Sequence, residues 1–287
     1  MKKSHFKTHL LFYVLITMLL ALIVWTIWGN TALMANSITL SGNQIPSEFS
    51  GFRIAQVSDL HNAEFGEENS LLLNSLSESK PDMIAITGDL VDAQHTNIDV
   101  ALSFAEKAVQ IAPVYYVTGN HEASLSQYSE LKTGLEAAGV IVLEDKAIQL
   151  EHNGGIVTLM GLSDPNFTIK SNIFDEVPAM ISTKLNDLME DKVGYTILLS
   201  HRPELFDTYV SCGVDLVLSG HAHGGQFRLP LIGGLVAPNQ GFFPKYDAGL
   251  YSDGGTNMVV SRGLGNSIIP LRFNNRPEIV LVELTAD

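Results

Sequence analysis

Apolar stretches of strand length recur along this chain, and each runs into a polar cluster. Residues 52–57 lead to Ser58-Asp59-Leu60-His61, 83–86 to Thr87-Gly88-Asp89, and 114–117 to Thr118-Gly119-Asn120-His121-Glu122. Between them, 67–79 and 98–111 space their apolar residues as one face of a helix does. The second half repeats the arrangement, with strands at 157–162, 195–199 and 215–218, a helix at 181–190, and closing strands at 258–260 and 279–284. Strand, helix and strand in repetition predict one α/β body on a mostly parallel sheet covered by helices. In open sheets of this kind ligands collect beyond the carboxyl ends of the strands, and every polar cluster falls there.

The amino-terminal segment follows a different pattern. Residues 10–28 carry no charge, and as a helix they extend about 28 Å, close to the hydrocarbon thickness of a bilayer. A cleavable signal peptide has a shorter apolar stretch and a small-residue cleavage site, which this run lacks, so a transmembrane anchor is favoured. Lys2, Lys3 and Lys7 precede the span and Arg53 is the next basic residue, which places residues 1–9 in the cytoplasm and the body outside. Trp25 and Trp28 fall at the far end, at headgroup depth. The expected organisation is thus an anchor at 10–28, a linker at 29–50 and one domain over 51–287.

Composition narrows the partners. The 287 residues include 17 basic and 31 acidic side chains, net −14. All three basic residues of the first 36 precede the apolar run, so 37–287 hold 14 basic against 31 acidic residues, net −17. Such a body repels nucleic acid, and no nucleic-acid partner is expected. An anionic substrate would need bound cations to attract it. Cys212 is the only cysteine, which rules out an intrachain disulfide and reads as a small buried hydrophobe.

A single Asp or His after a strand is usually a cap or a satisfied loop residue. Here the clusters coincide: Asp59, His61, Asp89, Asn120, His201, His221 and His223 place nitrogen and oxygen donors on one rim. Such donors suit manganese, iron or zinc, and the lack of cysteine argues against a structural zinc knot. Seven donors exceed what one tetrahedral ion uses, so two ions sharing a carboxylate are the simpler solution. The glycines before Asp89, Asn120 and His221 let the backbone turn sharply and leave room for ion and phosphate.

These residues resemble the calcineurin-like metallophosphoesterases. The blocks Asp59-Leu60-His61, Gly88-Asp89-Leu90-Val91-Asp92, Gly119-Asn120-His121-Glu122, His201 and Gly220-His221-Ala222-His223 stand in the order that family uses. The resemblance implies a four-layer α/β/β/α sandwich, with one ion on Asp59, His61 and His223, the other on Asn120, His201 and His221, and Asp89 bridging. It also implies that His121, oriented by Asp92, serves the leaving oxygen as general acid or charge stabiliser. The amino-terminal span and the Ser261-Arg262-Gly263-Leu264-Gly265 segment are similar to a bacterial membrane-linked subgroup that includes UDP-2,3-diacylglucosamine hydrolases and related phosphodiesterases.

The expected function is binuclear metal-dependent hydrolysis of a phosphodiester, or of a phosphomonoester or pyrophosphate, in a lipid or envelope substrate. The protein Ser/Thr phosphatase branch has an arginine where this chain has Ala93, so a guanidinium for phosphoproteins is missing. Arg202 and Arg262 are candidates to touch phosphate. The glycines at 224, 225, 233 and 234 predict a mobile loop at the site. Two other classes compete: a catalytically silent, metal-bound module of a membrane complex, and a metal-dependent amidase.

Overall fold

A computed structural model describes residues 2–169, 176–266 and 270–287. Its strands are β1 (Met34–Gly42), β2 (Arg53–Val57), β3 (Met83–Thr87), β4 (Val114–Val117), β5 (Ile141–Val142), β6 (Lys146–His152), β7 (Gly155–Gly161), β8 (Thr196–Leu199), β9 (Leu216–Ser219), β10 (Arg228–Leu229), β11 (Gly233–Gly234), β12 (Val236–Ala237), β13 (Gly241–Phe242), β14 (Gly249–Asp253), β15 (Thr256–Val260) and β16 (Glu278–Ala286). Its helices are α1 (Lys2–Thr31), α2 (Ser70–Ser79), α3 (Ile98–Ala108), α4 (Asn120–Ser124), α5 (Tyr128–Ala138), α6 (Val177–Met189) and α7 (Phe206–Ser211).

Two sheets form, ordered β1-β16-β2-β3-β4-β5 and β14-β15-β9-β8-β7-β6. Neighbours are parallel except at β16–β2, β6–β7 and β14–β15. Side chains alternate across each strand, which gives every central strand two buried faces. Ile84 and Ile86 of β3 meet Leu72, Phe104 and Leu131 of the helices α2, α3 and α5. Met83 and Ala85 of the same strand face the other sheet and meet Leu159, Ile197 and Leu218. That sheet in turn packs Leu198, Val217 and Met258 against Ile181, Leu185 and Phe206 of α6 and α7. The four-layer α/β/β/α sandwich expected from the family resemblance is therefore the fold. Each fully buried large apolar side chain contributes about 1.5–3 kcal/mol, so these three interfaces outweigh local propensity.

Gln56 ties the sheets together where it matters. Its buried amide donates to Thr87 Oγ1 (3.1 Å) and to the Ser219 carbonyl (2.9 Å), which joins the carboxyl ends of β2, β3 and β9.

The expected linker at 29–50 is corrected. Residues 34–42 form β1, parallel to β16 over its whole length, and the segment after it turns through a short helical stretch with Phe49 buried. Helix α2 also starts later than residue 67, because Asn69 takes a left-handed conformation (φ 62°) that breaks the run. Helix α1 is long and apolar enough to cross a membrane over His9–Thr31, and its apolar window is unburied among the described residues.

Candidate metal centre

The candidate ligands stand at the carboxyl ends of strands from both sheets: Asp59 and His61 after β2, Asp89 after β3, Asn120 after β4, His201 after β8, and His221 and His223 after β9. The backbone there is unusual. Asp59, His61, Asp89, His221 and His223 all have φ between 47° and 66°, a region that costs a side-chain-bearing residue about 1–3 kcal/mol. Loop-to-loop hydrogen bonds hold them in it: Asp59 N–H donates to Gly88 O (3.0 Å), His61 N–H to Asp89 O (3.1 Å) and Gly265 N–H to Asp59 O (2.7 Å).

Two groups of side chains converge. His61 Nε2 lies 3.2 Å from His223 Nε2, which is 3.3 Å from Asp59 Oδ1. In the second, His201 Nε2 lies 3.1 Å from Asp89 Oδ2 and 3.2 Å from His221 Nδ1. Ligand atoms about 2.0–2.2 Å from one tetrahedral ion stand roughly 3.3–3.5 Å apart, so both groups are sized for a cation. The same Asp89 Oδ2 is 3.7 Å from His61 Nε2 and 3.1 Å from His201 Nε2, which puts it between the groups. Asn120 Oδ1 is buried with no hydrogen-bond partner, the condition of an acceptor awaiting a cation.

Electrostatics point the same way. Burial pushes the Asp59 carboxyl up to about 6, with the Asp89 charge adding to it. Burial lowers His61 to about 4, and holds His221 and His223 well below the usual imidazole range, helped by Arg202 and His61 respectively. These rings are neutral and ready to ligate. His201 is the exception: burial opposes its charge, but Asp89 raises it to about 10, and Asp89 is correspondingly held far down. Without an added cation, His201 supplies the positive charge that the buried carboxylate requires. Its Nδ1 faces the Thr87 carbonyl at 2.7 Å, leaving Nε2 toward the centre.

Supporting residues explain the rigidity. Glu122 is fully buried and accepts from the N–H groups of Asp89 (2.9 Å), Leu90 (2.7 Å), Val91 (3.3 Å) and Gly119 (2.7 Å), stapling the loops after β3 and β4. Burial and the Asp89 charge push it up to about 7, against four donors that favour its ionised form. Arg272, also buried, donates to the carbonyls of Arg262 and Gly265 and lies 3.4 Å from His223 Nδ1. Glu122 stands inside a quoted motif without a role assigned to it; Arg272 lies in a segment with no local signal.

Beside the centre is a pocket of about 350 Å³ lined by His61, Asp92, His121, Asn266 and Pro270 among others. His121 Nδ1 accepts the Ala93 N–H at 3.1 Å, and His121 N–H donates to Asp89 Oδ1 at 2.8 Å. Asp92 is 3.9 Å from that Nδ1 and its Oδ1 takes the N–H groups of Gln94 and His95. The hydrogen bond on that ring thus comes from Ala93 N–H, and Asp92, expected to orient His121, stands 3.9 Å from Nδ1. The two arginines expected at phosphate are engaged elsewhere. Arg202 is buried, with Nε and Nη2 on Asp164 at 2.6 and 2.9 Å and Nη1 3.0 Å from His221 Nε2. Arg262 leans on Glu278 at 3.6 Å.

The sequence profile described as calcineurin-like phosphoesterase matches residues 52–225. This chain belongs to that family. A Bacillus subtilis metallophosphoesterase, YkuE, is 30% identical over 251 residues, covering 86% of this chain and 83% of its own length. The Escherichia coli phosphodiesterase YaeI is 29% identical over 244 residues, covering 81% and 82%. The solved structure of Thermus thermophilus TT1561 superposes with a TM-score of 0.52 at 15% identity, over 75% of this chain and 91% of that one, a likeness of fold alone. As a calcineurin-like phosphoesterase the chain is a hydrolase that uses divalent metals, and the buried His and Asp groups described above fit that chemistry.

Proposed function

We propose that this chain is a membrane-anchored phosphodiesterase that hydrolyses a phosphate ester of a lipid headgroup or another envelope component with two divalent ions, manganese, iron or zinc. One observation carries the reading: six buried ligand side chains from four strand ends form two cation-sized groups around a shared Asp89 oxygen. Asp59, His61 and His223 would hold one ion, Asn120, His201 and His221 the other, with Asp89 shared between them. Such ions would supply Lewis acidity toward phosphoryl oxygens and a bound water of lowered pKa as the nucleophile.

The chain's own residues do the rest. Glu122 and the loop hydrogen bonds fix the ligands before substrate arrives. Ala93 N–H occupies Nδ1 of His121 and leaves Nε2 to donate to the leaving oxygen. Asp92 accepts the N–H groups of Gln94 and His95 and so fixes the turn that presents Ala93 N–H to that ring. A terminal phosphate carries extra charge that a free guanidinium usually meets, and both nearby arginines are engaged by carboxylates. That supports a diester over a monoester, as does the name of the YaeI relative. Lys2, Lys3 and Lys7 ahead of the span support a cytoplasmic amino terminus and an external body.

The test is elemental analysis of the purified chain, then assays of an aryl phosphodiester and an aryl monoester before and after chelation. Diester turnover should dominate, vanish on chelation and return with manganese. A fully loaded protein that turns over neither ester, or only the monoester, refutes the proposal.

A further inference from the structure

Beyond β9 the chain makes two hairpins, β10–β11 and β12–β13, with exposed apolar side chains at the tip of the first and at the open end of the second. Leu231, Ile232, Phe242 and Phe243 are all exposed, Leu231 fully and Phe242 by 80%. Exposed aromatic and aliphatic side chains grouped on short hairpins mark a surface that meets something apolar. The charge pattern is also distinct. From Leu216 to Tyr246 there is no acidic residue, although the chain as a whole has 31, and the only charges are Arg228 and Lys245. Residues 254–277 likewise have Arg262, Arg272 and Arg276 and no acid.

These acid-free segments are joined to the end of α1. Asn30 Nδ2 donates to the Arg272 carbonyl (2.9 Å), and Arg272 N–H returns to Asn30 Oδ1 (2.7 Å). Arg276 lies over the Trp28 ring at 4.5 Å and donates to the carbonyls of Ala32 and Leu33, both at 2.8 Å. The same strip holds the root of the first hairpin: Arg228 N–H donates to Phe273 O (3.0 Å) and Gln226 Nε2 to Leu271 O (2.8 Å). From Phe227 to Leu231 the chain can reach no more than roughly 14 Å. The second hairpin is tied to the first through Leu235 N–H on Phe227 O (2.8 Å) and reaches the centre through Asn239, 3.4 Å from His221 Nε2.

We propose that the Leu231–Ile232 tip of β10–β11 and the Phe242–Phe243 end of β12–β13 form a second membrane contact, seated in the leaflet from which α1 emerges, so that the metal centre works on phosphoesters of lipids in that leaflet. The proposal rests on α1 as a span and on the phosphodiesterase reading. The occupant is the bilayer because the apolar side chains are tied through the 271–276 strip to the end of a helix of membrane-spanning length, and because the segments that carry them hold no acidic residue in an acidic protein, which spares them repulsion from an anionic headgroup layer. Pro270, in the pocket wall with His121, precedes the α1-bound Arg272 by two residues, so the pocket lies along the same strip.

The test uses the full chain in vesicles of phosphatidylethanolamine and phosphatidylglycerol, in a Cys212→Ser background. Nitroxide labels at Leu231→Cys and Phe243→Cys should lose contact with a water-soluble relaxation agent and gain contact with oxygen. A label at Glu136→Cys, exposed on α5, should stay water-accessible. Leu231→Asp with Phe243→Asp should lower turnover of vesicle phospholipid while turnover of a soluble aryl diester is unchanged. Water-like signals at both labels in protein that floats with the vesicles overturn the proposal, as does burial of the labels by concentration-dependent self-association without lipid. Because the depth measurement needs no activity, it fails separately from the phosphodiesterase reading, which fails if the soluble diester is untouched by the unaltered chain.

Discussion

Arg202 Nη1 lies 3.0 Å from Nε2 of His221, while the other two nitrogens of the guanidinium are held by Asp164. A buried arginine is thereby fixed against the candidate ligand His221, and its pKa is raised because Asp164 and Glu204 outweigh burial. Removing the Asp164 carboxylate leaves that buried charge with only Glu204, 3.4 Å from Nη1. Asp164→Ala should cost about 3–5 kcal/mol of stability, and metal affinity at the His201–His221 group should fall about 10- to 100-fold. Denaturation and metal titration read the two effects; no change in either contradicts this role for Arg202.

Metal holding and chemistry should separate by residue. Asp89→Ala removes the oxygen that faces both groups, so metal content and turnover fall together. His121→Ala keeps its metal and loses about 10²–10⁴ in turnover. Wild-type activity in either variant, at equal metal content, opposes the assignment.

Gly220 is a steric requirement. A Cβ there would overlap Ser58 Oγ and Asp59 Oδ2, whereas one at Gly42 meets nothing within 4 Å. Gly220→Ala should displace the Asp59 carboxylate and weaken the Asp59–His61–His223 ion, while Gly42→Ala leaves metal content unchanged. Elemental analysis of both variants decides it.

Glu122→Gln replaces one of two acceptor oxygens with an NH₂ that cannot accept. At least two of the N–H groups of Asp89, Leu90, Val91 and Gly119 lose their partner, at about 1–3 kcal/mol for each buried donor. The variant should melt earlier and bind metal more weakly. An unchanged melting temperature would mean the staple is dispensable.

The central strands were legible because burial on both faces writes them as continuous apolar runs, as in 83–86 and 114–117. In the two six-stranded sheets the strands that escaped, β1, β5, β6 and β14, are the edges. An edge strand such as Met34–Gly42 needs only one apolar face, and its exposed alternate residues Ser37, Thr39 and Ser41 read as a linker. The ligand clusters were legible because each follows a strand, and the structure brings Asp59, His61 and His223 together, and Asp89, His201 and His221. The parts of Arg202, Arg272 and Asp164 were not, because each depends on contacts between segments far apart in the chain.

A pair of cations at the rim between the sheets underlies every role assigned to these residues. Anomalous diffraction at the manganese edge, from crystals of the full chain loaded with manganese, measures this most directly. The prediction is two peaks about 3.5–4 Å apart, one touching Asp59, His61 and His223, the other Asn120, His201 and His221, with Asp89 in contact with both. One peak alone, or none at this rim in protein that hydrolyses a phosphodiester, would contradict it.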